Sequence, residues 1–104
     1  MSRMYVYPGF VRLRGKFELV FFAKLTRILM MNGFDNARLN SRCLSDGFNI
    51  AEWSFESAAM SVEAADILAD YFEDIRHPYL VTRICVPHCG DEQFLSVPPE
   101  QDRL

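Results

Sequence analysis

Long apolar runs are missing from this chain of 104 residues. The longest, residues 19–23, is far short of the ~20 residues that a helix needs to cross a bilayer. Residues 1–14 hold no continuous apolar core of the kind that drives secretion, so the sequence predicts a soluble, cytoplasmic protein with no membrane partner. Glycine and proline are scarce, at five each, and no tract repeats, which excludes collagen-like and low-complexity chains. A composition that is 50% apolar and only 24% charged argues against disorder and supplies one core, not two. A single compact domain is expected over residues 1–97, with 98–104 an extended or disordered tail around Pro98-Pro99.

Catalytic signatures are also lacking. There are two histidines, no glycine-rich phosphate loop, no G-x-S-x-G and no H-E-x-x-H. Cys85, His88 and Asp91 stand too close together in sequence, at the end of a strand, to converge on one substrate atom as nucleophile, base and orienter. The expectation is a chain that is not an enzyme and takes no cofactor. The cysteines are three, Cys43, Cys85 and Cys89, an odd number without an export signal, which predicts reduced thiols rather than a disulfide framework. Cys85, His88 and Cys89 suit zinc in ligand type but offer three ligands without a second Cys-x-x-Cys knuckle, so the expected reading is a packed strand end with no metal.

Charge is present but unevenly placed. Up to Arg42 there are eight Lys and Arg against two acids, a balance of +6; after it three bases face twelve acids, a balance of -9. The split predicts either two halves that neutralise each other across the fold or a dipolar surface whose acidic side meets a basic partner.

Residues 4–13 are aromatic and β-branched and read as a strand broken or bulged at Pro8-Gly9. Residues 16–31 place Phe17, Val20, Phe21, Leu25, Ile28 and Met31 at three- and four-residue steps, which predicts a helix stopped by Asn32-Gly33; a strand over 16–23, paired back around Gly15, competes with it. Residues 36–44 and 48–55 read as a hairpin around Ser45-Asp46-Gly47. A second helix follows, capped at Ser57 or Ser61, with Ala65, Leu68, Phe72 and Ile75 as its buried stripe, and it ends at His77-Pro78. Residues 79–86 form the last strand. The order predicts a ferredoxin-like βαββαβ fold: α+β, a four-stranded antiparallel sheet with two helices on one face.

Two surfaces follow. On the second helix Glu63, Asp66, Asp70, Glu73 and Asp74 recur at helical steps on the side away from Leu68 and Phe72, with no lysine among them. A row of carboxylates imitates phosphates and fits a basic groove. The face of the sheet without helices is expected to expose Tyr5, Tyr7, Phe48 and Arg83 as an apolar patch that meets a second copy or the chain's own tail.

Met4-Tyr5-Val6-Tyr7-Pro8-Gly9 resembles the first-strand motif of RNA-recognition-motif domains, and Gly47-Phe48-Asn49-Ile50-Ala51-Glu52-Trp53 is similar to their third-strand motif. The resemblance implies single-stranded RNA stacked on Tyr5 and Phe48. Asp46 stands where that motif has a basic residue and Ile50 where it has an aromatic, and the acidic second half works against RNA. The sequence therefore favours a non-catalytic protein-binding domain, a small inhibitor or adaptor that occupies a basic surface of a nucleic-acid-handling partner. By size and charge it is similar to phage anti-host and anti-defence proteins or, alternatively, to toxin-immunity proteins.

Overall fold

Around Pro8-Gly9 the sequence mirrors itself: Met4 and Val6 before it answer Val11 and Leu13 after it, while Arg3, Tyr5, Tyr7 and Phe10, Arg12, Arg14 fill the alternate positions. A period of two on both sides of a two-residue turn makes a hairpin rather than one strand. In the computed structural model, which describes residues 2–44 and 46–84, β1 (Ser2–Tyr7) and β2 (Phe10–Gly15) run antiparallel, with Tyr7 opposite Phe10 and Arg3 opposite Arg14. Gly9 turns the chain at φ 101°, a region closed to most side chains. The single bulged strand expected over 4–13 is thus corrected to two strands.

Helix α1 (Leu19–Met31) starts at Glu18, which caps it without a side-chain hydrogen bond, and overturns the competing strand reading of 16–23. Phe22, Leu25 and Leu29 form its buried stripe, whereas Val20 and Met31, expected inside, are 69% and 78% exposed. At its end the Phe34 N–H reaches the Leu29 carbonyl at 3.0 Å and the Gly33 N–H the Met30 carbonyl at 3.2 Å, with Gly33 at φ 97°. This paired closure satisfies carbonyls that the helix leaves over.

Strands β3 (Arg38–Cys43) and β4 (Asn49–Ser54) form the expected hairpin. Helix α2 (Ala58–Asp74) is capped by Ser57, whose hydroxyl accepts from the Met60 N–H at 3.2 Å. Ser61 lies inside the helix and is buried: its hydroxyl accepts from the Gly9 N–H and lies 2.8 Å from both the Tyr7 and Ala58 carbonyls, tying α2 to the first turn. Ile75 is the exposed C-cap of α2 rather than part of its buried stripe. The last described strand is β5 (Tyr79–Arg83).

The sheet order is β3-β4-β2-β1-β5, antiparallel except for the parallel pair β1-β5. The expected four antiparallel strands are therefore five in a mixed sheet. Without β1, the remaining order and directions are those of the split βαβ arrangement; β1 is wedged between its first and last strands. Met4, Val6, Val11, Leu13, Ala51 and Trp53 point to the helix side and close one core with Phe22, Leu25, Leu29, Ala64, Ala65, Leu68 and Phe72. Within it the Trp53 indole N–H donates to Thr26 Oγ1 at 2.8 Å, so the largest buried ring leaves no polar group unmatched.

Candidate interaction surfaces

The sequence's charge asymmetry becomes a partial division between two faces, with the five acids of α2 on the helix side beside Lys24, Arg27 and Arg83, and five arginines of the strands on the other. On the helix side, α2 buries Ser61, Ala64, Ala65, Leu68 and Phe72 against the core. The 3.6-residue period then leaves Glu63, Asp66, Asp70, Glu73 and Asp74 exposed on the outer side of the same rod. Two of the five acids have described partners. Arg83 Nη2 lies 3.4 Å from Asp66 Oδ1 with both side chains in solvent, a contact of the weak surface kind. The Tyr79 hydroxyl donates to Glu73 Oε2 at 3.0 Å, and partial burial, followed by this carboxylate, pushes the phenol above its ordinary range. No arginine of the amino-terminal half forms an ion pair with any of the five among the described residues.

Arg3, Arg12, Arg14, Arg38 and Arg42 are on the other side, whereas Arg27 and Lys24 stand exposed on α1, with Lys24 Nζ 5.7 Å from the Tyr71 ring centroid. Strand alternation turns Arg3, Tyr5 and Tyr7 of β1, Phe10, Arg12 and Arg14 of β2, Ile50 and Glu52 of β4, and Arg38, Asn40 and Arg42 of β3 away from the helices. Arg12 is paired with Glu52, directly opposite it, and lies over the stacked rings of Tyr7 and Phe10. Arg14 binds Asp46 at 2.6 Å and caps the Phe48 ring, its Cζ 4.2 Å from the centroid. Asp46 also accepts from the Phe48 N–H at 3.1 Å; this hydrogen bond, with help from Arg14, holds its carboxyl below the usual range. Arg38, Asn40 and Arg42 stand exposed along the edge strand β3.

Several expectations change. Tyr5 and Tyr7 do lie on the face without helices and Phe48 beside it, but Arg83 does not: its register partner is Val6, which puts it on the helix side. Nor is that face an exposed apolar patch, because Tyr5 and Ile50 are buried and the remainder is largely arginine. The exposed large apolar side chains, Val20, Met31, Val62 and Ile75 among them, belong to the helices and to the edge strand β5. Tyr5 and Phe48 do not form a neighbouring pair of stacking rings, since β2 separates β1 from β4. The signal for the arginine face was present as the alternation of Arg3-Tyr5-Tyr7 and Phe10-Arg12-Arg14 about Pro8-Gly9.

Cys85, His88 and Cys89 lie outside the described residues, as do the tail at 98–104 and the end of the last strand. Among the described residues no group of three or more His, Cys, Asp or Glu is placed to hold a metal, Cys43 is an exposed thiol, and no helix is long and apolar enough to cross a membrane. No family model, curated protein or solved structure matches the chain.

Proposed function

We propose that this domain is a non-catalytic protein-binding module, an inhibitor or adaptor that lays the acidic side of α2 against a basic surface of a nucleic-acid-handling partner. One observation carries the reading: five carboxylates stand exposed along a rod whose opposite side is fixed in the core, while Arg12 and Arg14 are engaged with Glu52 and Asp46 on the far side of the sheet. Like charges at three- and four-residue steps cost a few tenths of a kcal/mol per pair, and a cationic partner relieves that repulsion. Neighbours on a helix face are roughly 5–6 Å apart, a spacing that lets rigid carboxylates take the place of successive phosphates in an Arg/Lys groove.

The test is affinity purification of the tagged protein beside a variant carrying D66K, D70K and E73K, at low and high salt. The expected result is a protein partner held by the parent chain at low salt, shed at high salt and absent from the variant. The reading fails if the same partner stays on a variant of unchanged helix content, or if nucleic acid alone is recovered.

A further inference from the structure

The face of the sheet opposite the helices has no helix to cover it, yet its central side chains are out of solvent: Tyr5 is 4% exposed, Arg12 2% and Ile50 1%. Phe10 and Glu52 beside them are buried as well. Around this centre lie Arg3, Arg14, Arg38 and Arg42, so the face combines aromatic rings with an excess of cations over Glu52 and Asp46. Such a surface fits an extended, acidic chain carrying some apolar side chains.

The chain holds a segment of that description. Beyond Ile84, whose N–H bonds the Val6 carbonyl at 2.8 Å at the end of the β1-β5 pair, residues 85–104 contain Asp91, Glu92, Glu100 and Asp102 against Arg103 alone, together with Val86, Phe94, Leu95 and Val97. Pro87, Pro98 and Pro99 disfavour helix. At ~3.3 Å per residue these twenty residues reach roughly 65 Å when extended, whereas the four interstrand spacings from β5 to β3 span only about 19 Å.

We propose that the arginine-rich aromatic face of the sheet is a docking surface for an acidic peptide, and that its occupant is this chain's own residues 85–104. The segment shields Tyr5 and Ile50 and neutralises Arg3, Arg38 and Arg42, leaving the acidic row of α2 as the strongest charge presented to partners. The inference does not depend on what α2 binds.

The experiment uses the full chain with C43S, C85S, C89S and S96C, a nitroxide on residue 96, and amide NMR signals as the readout; a second label position, E100C, guards against local disturbance. Signals of Tyr5, Arg12, Ile50 and Glu52 should broaden severalfold more than those of Val20 and Asp66, independently of protein concentration. Neutralising the tail with D91N, E92Q, E100Q and D102N at the Ser96 label should reduce the broadening. Equal broadening on both faces overturns the proposal. So does broadening transferred from a spin-labelled copy to a separate isotope-labelled one, which assigns the face to a second copy.

Discussion

Arg12 and Glu52 oppose each other across β2 and β4, and the guanidinium sets both Nε and Nη2 on one carboxylate oxygen, at 2.9 and 2.8 Å. Arg12 Nη1 also reaches the Tyr7 hydroxyl at 3.3 Å, against a Tyr7-Phe10 stack with ring centroids 4.2 Å apart. A buried cation that loses its carboxylate keeps its desolvation cost, so Glu52→Ala should destabilise the fold by about 3–5 kcal/mol. Replacing both partners by apolar residues of similar volume, R12M with E52L, should recover most of the loss. Urea unfolding of the three chains measures this; a single and a double variant of equal stability would remove the pair from the account.

Arg76 offers a gain rather than a loss. Both helices close in the same way, His77 N–H to the Phe72 carbonyl at 2.8 Å in α2 matching Phe34 to Leu29 in α1, but the left-handed residue is Gly33 in one and Arg76, at φ 57°, in the other. A side chain there costs about 1 kcal/mol, partly offset by the entropy glycine loses on folding. Arg76→Gly should therefore raise stability by about 0.5 kcal/mol, and Gly33→Ala should lower it by about the same amount. Thermal melts showing the opposite order would contradict the assignment of strain to Arg76.

His77 gives the domain a pH dependence. Its Nε2 lies 2.8 Å from Ser2 Oγ and its ring packs against Phe17 and Phe72, with centroids 5.0 and 5.3 Å away; burial lowers its pKa from the ordinary 6.5. The unfolded chain then binds this proton more readily than the folded one. The histidine's contribution is complete above pH 6.5 and is lost as pH falls from there through the folded pKa. Between about pH 7.5 and 5 the urea midpoint should fall more for the parent chain than for His77→Gln. Equal falls would assign the acid sensitivity to the carboxylates.

The elements were largely legible where local chemistry decided them. Asn32-Gly33 marked a helix end, Asp46-Gly47 a hairpin and Ser57 a cap, because each acts on its immediate neighbours. The wedged strand was not, since Pro8-Gly9 closes a tight hairpin as readily as it marks a bulge, and β1 takes its place only by pairing with β5, more than seventy residues away. Gly15 shows the same limit. It had suggested a turn in the competing strand reading, but it is the last residue of β2, where an added Cβ would lie 2.6 Å from both the Phe17 ring and Ser2 Oγ. The acidic row on α2 followed from helical spacing alone. The gathering of Arg3, Arg12, Arg14, Arg38 and Arg42 on one face required the order in which four strands assemble.

The position of β1 also sets the order in which the molecule can be completed during synthesis. As the chain is made, β1 has one neighbour within reach at once, β2, and another, β5, that exists only after residue 79 has been made. Until then β1 presents an unpaired edge, open to any extended chain nearby. Slow translation between residues 16 and 79 would lengthen that exposure, and the β1-β2 hairpin would be the part of the described fold most open to it.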